Sequence, residues 1–350
     1  MASRERLDPT QPVHVFLCVA DHFEPMWNGA SRATQRQRMD RWRRELPRMA
    51  AGIHDSDGRP PQHTFFYPQD QYDAGYLNEL AELCGDGYGD VEVHLHHEDD
   101  NSAALRETLL GFTHALVDVH DLLRRDARGR PAYGFIHGDW ALANSDPHGR
   151  YCGVNDELTI LRETGCYADF TLPSAPSPTQ TTTVNSIYYA IDDPDQPKSH
   201  DRGVAARVGQ APPADGLLLI QGPLSIDWSN RKWGLLPRFD YANIQGVQPA
   251  TLQRLQRWRH VGVGVLGRPN WQFVKVHTHG CQEVNMDLLL GEPMRRFHED
   301  LAEYARKTPG FHYHYVTAYE MANLVHQAER GAEVPSIGPA CSARMADCAD

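Results

Sequence analysis

The sequence predicts an α/β fold: a single (β/α)7-8 barrel of the distorted TIM type. Three observations predict it. Short apolar segments read as strands at 13–21, 63–68, 90–97, 133–138, 168–173, 217–222, 273–279 and 313–317. Helix-like segments at 33–52, 74–84, 102–125, 155–165, 251–260, 287–307 and 318–330 fall between most of them, and strands alternating with helices mean a parallel sheet. Several strands also end in Asp or His, at the end where barrels keep their chemistry. An open doubly wound sheet is the alternative, but no G-x-G-x-x-G follows the first strand.

The elements follow from local pattern. Val13-His-Val-Phe-Leu-Cys-Val-Ala20 is the first strand and runs into Asp21-His22-Phe23-Glu24. In Asp90-Val-Glu-Val-His94-Leu-His96-His97, Val91, Val93 and Leu95 alternate with Glu92, His94 and His96. The helix from 102 has Asn101 or Ser102 as cap and an apolar stripe of Leu105, Leu109, Phe112 and Leu116. The helix over 155–165 has Asn155 to open it and Gly165 to close it. Phe273-Val-Lys-Val-His277-Thr-His279 puts two more histidines in phase at a strand end. Residues 191–216 and 223–250, the latter with Trp228, Asn230, Arg231, Lys232, Trp233 and Tyr241, read as long loops of the lid or binding kind. We expect one catalytic domain over 1–330 and a loosely ordered tail over 331–350.

Composition narrows the function. With 46 Asp+Glu against 34 Lys+Arg, the net charge of -12 argues against a nucleic-acid partner held through phosphates. No run of about 18 apolar residues suggests a membrane span, and the polar N-terminal residues show no secretory signal. The seven cysteines form no C-x-x-C pair, which fits a reducing compartment. A cytoplasmic location is the expectation; oligomeric state is not predicted. G-x-S-x-G, H-E-x-x-H and P-loop motifs are missing, so a serine or cysteine nucleophile has little support.

The histidine-rich strand ends point instead to a divalent metal, zinc first among candidates. His94 and His96 share a face, and with Asp21 they make a three-ligand site that leaves room for water; His97 is an alternative to either histidine. Asp99 and Asp100 are candidate partners that fix a ligand tautomer. His277 and His279 share a face with Lys275, and one of them suits an acid or base near neutral pH. Asp139, after the fourth strand, suits orienting a histidine or acting as base, as does His22. Trp140 suits stacking on a sugar or packing under a loop. The polar, proline-rich stretch 171–186 suits either a hydrogen-bonding lip or a rigid turn.

In this arrangement the chain resembles the polysaccharide deacetylase (NodB-like) branch of the glycoside hydrolase/deacetylase β/α-barrel superfamily. The residues that carry the likeness are Asp21-His22 after the first strand, His94-Leu-His96-His97 after the third, Val-Lys-Val-His277-Thr-His279-Gly near the seventh, and the closing Val316-Thr317-Ala-Tyr-Glu-Met-Ala. The resemblance implies a metal held by one Asp and two His, matched by Asp21, His94 and either His96 or His97. A metal-bound water would attack an acetyl carbonyl, and His277 or His279 would act as acid. The motifs depart from the family's pattern. Ala20 stands where a first Asp is usual, the histidine spacing is two or three rather than four, and His137-Gly-Asp139-Trp140 replaces an Arg-containing motif. The expected function is a metal-dependent hydrolase that removes an acyl group from an amino sugar or polysaccharide precursor. The partner is then a small molecule or glycan. Two rivals stand beside it. One is a glycosidase of the same superfamily, with paired carboxylates drawn from Asp21, Glu24, Glu92 and Asp139. The other is a non-catalytic carbohydrate-binding barrel.

Overall fold

The computed structural model describes residues 5–232 and 235–338, with backbone alone at 229–232. Its strands are β1 (Val13–His22), β2 (His63–Pro68), β3 (Gly89–Leu95), β4 (Arg124–Arg125), β5 (Pro131–His137), β6 (Cys166–Asp169), β7 (Ile187–Ile191), β8 (Gly203–Ala205), β9 (Gly216–Ile220), β10 (Ser225–Lys232), β11 (Leu236–Asp240), β12 (Trp271–Thr278) and β13 (Phe311–Tyr315). Its helices are α1 (Arg32–Ala50), α2 (Ala74–Gly85), α3 (Ser102–Asp118), α4 (Glu157–Thr164), α5 (Leu252–Val261), α6 (Glu283–Leu289), α7 (Glu292–Lys307) and α8 (Ala318–Glu329).

The result is a mixed α/β fold around a mostly parallel sheet. Its order is β12-β1-β2-β3-β5-β6-β9-β7-β8, with β13 also on β1 and β4 on β5. From β12 to β9 every pair is parallel, which puts successive strand ends side by side. Among the described residues no ladder joins β9 to β12. That edge is instead approached through the Lys275 ammonium, which donates to the carbonyls of Phe170 at 2.6 Å and Leu172 at 2.7 Å.

Two apolar layers form. Val15, Leu17, Phe65, Val91, Val93, Tyr133, Phe135, Val274 and Val276 face outward and pack with Trp42, Leu80, Leu109, Leu161, Trp258 and Phe297 from the helices. Phe16, Cys18, Ala20, Phe66, Ile136, Phe170, Ile220 and Phe273 face inward and pack with Met321, Leu324 and Val325 of α8. Local chemistry sets the helix starts. Ser31 accepts from Thr34 N, Asn101 accepts from Ala104 N, and Thr317 with Glu320 makes a reciprocal capping box. Gly165 closes α4 at φ 107, where an added Cβ would meet Pro131 O at 2.1 Å.

Seven of the eight strand segments expected from the sequence are strands over most of their length, whereas of 168–173 only the first two residues belong to β6, which ends at Asp169; some connections also differ. The stretch 191–216 contains β8, which pairs antiparallel with β7; β7 in turn pairs antiparallel with β9. β7 itself was not expected: Ile187-Tyr-Tyr-Ala-Ile191 is apolar on both faces and follows a threonine-rich loop, so no alternation marks it. The stretch 223–250 contains the antiparallel hairpin β10–β11. Trp228 on it is 61% exposed; the side chains of Asn230, Arg231 and Lys232, and all of Trp233, lie outside the described residues. α3 ends at Asp118 rather than 125, because Leu122 N bonds back to Leu116 O and the chain turns into β4. The segment 287–307 is two helices, broken where Gly291 and Pro293 fall together. α4 begins at Glu157 with Asp156, not Asn155, before it. Of the expected tail, residues 339–350, with Cys341 and Cys348, lie outside the described residues, whereas Ser336 exchanges two hydrogen bonds with Gln327. The five described cysteines are all buried. No helix among the described residues is long and apolar enough to cross a membrane.

One buried histidine gives a pH test of this core. His298 pairs with the Tyr315 hydroxyl at 2.7 Å, and burial pulls its pKa down to about 3. The unfolded chain therefore takes up that proton first, so the contribution is present above about 6.5 and is lost as pH falls toward 3. Glu92 and Asp169, which burial raises to about 7, act in the opposite sense, so the whole-protein slope mixes the two. A difference isolates the imidazole. Relative to His298→Gln, wild type should lose about 1.4 kcal/mol for each pH unit below 6.5 in urea unfolding. A constant difference between pH 7 and pH 5 would refute the assignment.

Candidate metal centre

Four parallel strands deliver the site. His22 ends β1 opposite Phe66, while His94 in β3 sits opposite Ile136 in β5. Even-numbered residues of β1 and β3 and odd-numbered residues of β12 face inward, and so does His279 just after β12. His22, His94, His96 and His279 consequently converge. Ring centroids are 4.8 Å apart for His22 and His94, 4.5 Å for His94 and His96, and 4.7 Å for His22 and His279.

Glu24 completes the group. Phe23 is fully buried and its N–H bonds Phe66 O, so the strand alternation continues past β1 and turns Glu24 to the same side as His22. Its Oε1 lies 3.1 Å from His96 Nε2 and 3.7 Å from His94 Nε2. The ligand atoms of Glu24, His94 and His96 all lie within 4.8 Å of one another.

The hydrogen-bond pattern shows what these groups are prepared for. His94 Nδ1–H donates to the Ile136 carbonyl at 3.0 Å, which leaves the Nε2 lone pair aimed into the site. That Nε2, His22 Nε2 and Glu24 Oε2 are buried without a hydrogen-bond partner. Orphaned buried polar atoms cost about 1–3 kcal/mol each, and a cation held by Glu24, His94 and His96 would give partners to the two that belong to that set. His96 Nδ1 meets Asp70 Oδ1 at 3.1 Å, so a carboxylate backs this imidazole as well.

Electrostatics agree. Burial would raise Glu24, but His94 and His96 beside it outweigh burial and hold it down at about 2. Burial would lower His96, but Asp70 and Glu24 lift it to about 10. Burial, with neighbouring imidazoles, pushes His22 well below its ordinary value. Burial also lowers His279. The site opens past His96, His279 and Trp27, the last 42% exposed. The Trp27 ring lies 6.0 Å and the Trp140 ring 6.2 Å from His279.

Four of the residues expected in the site stand elsewhere. Asp21 faces outward, with one oxygen 2.8 Å from His63 Nε2 and the other accepting Gly280 N–H at 2.5 Å. His97 turns away to Asp100 and Glu157. His277 is buried and stacks on Tyr241 at 5.5 Å. Asp139 is exposed, at φ 53. Glu24, named from the sequence only as a possible glycosidase carboxylate, and Trp27 were not expected beside these histidines. The His22-x-Glu24 spacing was the available signal, since it is the same alternation as His94-x-His96.

Asp21 has a positioning role that can be tested through Gly280. An added Cβ there would lie 2.0 Å from Asp21 Oδ2 and 2.7 Å from Trp42 Cζ2, while Trp42 Nε1 donates to Gly280 O at 3.1 Å. Gly280→Ala should therefore destabilise the fold by about 1–3 kcal/mol through overpacking. An unfolding midpoint equal to wild type would show that this contact does not hold the strand end.

The chain matches no family model and no curated protein. Among solved structures it is similar to a "putative polysaccharide deacetylase" from Mycobacterium smegmatis, with a TM-score of 0.47 and 11% identity over 94% of this chain and 96% of that one. A likeness at that level is one of outline and says nothing of chemistry.

Proposed function

We propose that this chain is a metal-dependent hydrolase of the deacetylase kind, built on a barrel-like α/β scaffold, which removes an acyl group from an amino sugar or related glycan precursor. The observation that carries the reading is the convergence of buried, unpartnered His22 Nε2, His94 Nε2 and Glu24 Oε2 beside His96. Glu24, His94 and His96 would hold the ion, with His22 next to them. A divalent ion bound there supplies Lewis acidity toward a carbonyl and toward water.

The remaining roles belong to the chain. Glu24 brings one negative charge, so a divalent ion is only partly neutralised and keeps its pull on an acyl oxygen. His279 is the acid–base residue: it is half-buried at the mouth, stacked on His22, and neutral where burial lowers it. Its ring can take a proton from the attacking water and return it to the leaving amine or alcohol. Trp27 and Trp140 flank it with apolar faces of the kind that pack on sugar rings and exclude bulk water. The glycosidase alternative is weakened by the carboxylates it named. Asp21 is spent on His63 and Gly280, and Glu92 on Tyr167 and Gly134.

The test separates binding from chemistry. Glu24→Gln together with His94→Ala should release the bound metal and abolish hydrolysis of acetylated amino sugars. His279→Ala should keep the metal and lower kcat by about 10²–10⁴-fold. A folded wild-type chain that takes up no zinc or other divalent ion at the Glu24 set, by elemental analysis against the double variant, would end the hydrolase mechanism.

A further inference from the structure

A second donor set lies behind the first, on the outward face of the same strands. It consists of His97, His137, Cys152 and Glu157, whose ligand atoms all lie within 4.8 Å of one another. The elements bring them from four places. His97 follows β3, His137 ends β5, Cys152 sits in the irregular connection after it, and Glu157 opens α4. His137, Cys152 and Glu157 are fully buried, and the His97 side chain is 7% exposed.

The distances from the Glu157 carboxylate to the other three donors, two measured to Oε1 and one to Oε2, are close to those between ligands of a small ion. With zinc bonds of about 2.0–2.3 Å, the edges of a tetrahedron are about 3.3 Å between nitrogen and oxygen donors and about 3.6 Å to a sulfur. Here His97 Nε2 lies 3.2 Å and His137 Nε2 3.5 Å from Glu157 Oε1, and Cys152 Sγ lies 3.5 Å from Glu157 Oε2. His137 Nδ1–H donates to the Gly138 carbonyl, which leaves Nε2 as the acceptor; that atom is buried and has no hydrogen-bond partner. His97 Nδ1 is backed by Asp100 at 3.1 Å, the carboxylate–histidine arrangement typical of ligating imidazoles. Glu157 is oriented by accepting Ala143 N–H at 2.6 Å.

We propose that His97, His137, Cys152 and Glu157 form a second, structural metal site that takes zinc. Two imidazoles, one thiolate and one carboxylate fill a tetrahedral ion without leaving a place for water, which separates this site from the open one at Glu24. On binding, the thiol proton of Cys152 leaves to solvent, and a proton on His97 leaves with it. The ion pins the connection between β5 and α4. That connection carries Trp140 to the mouth of the first site, and it holds Asp139, Trp140, Ala143, Asn144 and Tyr151 at φ between 51 and 69, where non-glycine residues are strained.

The test uses zinc and then cobalt(II) as probes on the full chain. The Glu24→Gln/His94→Ala variant, purified with zinc and without chelator, should keep about one equivalent of zinc by elemental analysis. After exchange with cobalt it should show a thiolate-to-cobalt charge-transfer band in the near ultraviolet, absent from Cys152→Ser. A folded Glu24→Gln/His94→Ala chain without zinc would overturn the site. So would a cobalt-loaded wild type without the thiolate band, or a band that survives Cys152→Ser. The wild-type spectrum decides even if the double variant fails to fold. A chain with a thiolate-bound ion and no hydrolysis would sink the hydrolase reading and leave this site standing.

Discussion

The site rests on the phase of four strands. Because side chains alternate strictly, a shift of one residue in β1, β3, β5 or β12 would exchange its inner and outer sets. With the phase observed, His22, His94, His96 and His279 meet inside, while Asp21 and His137 turn out beneath the helices. Apolar packing fixes that phase. Phe16, Phe66, Ile136 and Phe273 fill the interior, and Val15, Phe65, Val93, Phe135 and Val276 fill the layer outside. Both donor sets are therefore by-products of the same packing decision, one on each face.

An interior with charged groups has to neutralise them internally. Lys275 donates to two carbonyls at the end of β6, and burial lowers its pKa to about 8. Glu92 accepts from Tyr167 at 2.6 Å and Gly134 N–H at 2.5 Å, with Arg124 at 3.3 Å. The Arg124 guanidinium also lies 3.9 Å from the Tyr319 ring centroid, which ties the bottom of the sheet to α8. These groups sit one layer beneath the histidines and matter to them. After burial, Lys275 is the next cause that keeps His277 from taking a proton; for His22 it comes behind burial and the neighbouring imidazoles. Imidazoles held neutral are the form that ligates metals and accepts protons.

The sequence showed much of this through alternation, where alternation was visible. Val91, Val93 and Leu95 contrast with Glu92, His94 and His96, so the face of β3 is legible. β1 is different. Its odd residues, Val13 to Val19, and its even residues, Phe16 to Ala20, are both apolar because the strand is buried on both faces. Nothing in its sequence says which of Asp21 and His22 turns inward, and the family likeness matched Asp21 to a metal-binding Asp. The same ambiguity hid Glu24 until its phase was known from Phe23. His97 could not be placed from sequence because β3 ends at Leu95 and the chain leaves the alternation there. The antiparallel strand β7 and hairpin β10–β11 escaped for another reason: they pair antiparallel with β8 and β9 or with each other, with no helix between, and so leave no helix–strand rhythm.

The two donor sets also explain why the β5–α4 connection can be irregular. Residues 138–156 contain only short 3-10 turns, and a long irregular stretch of that kind would ordinarily move. Here its backbone is tied beside His97, His137, Cys152 and Glu157. Glu157 accepts Ala143 N–H, and Cys152 O accepts Asp100 N–H from the loop after β3. Gly153, at φ 95, passes so close to that loop that a Cβ would meet Asp100 N at 2.8 Å. His94 Nδ1 meanwhile bonds the carbonyl of Ile136, the residue before His137. One peptide of β5 thus orients a donor of the first set, and the next side chain belongs to the second. Tightening the outer set restrains His137 and, through that backbone, the direction of His94 and the place of Trp140. A fold with this linkage can hold a strained loop beside its buried histidines without giving up their alignment.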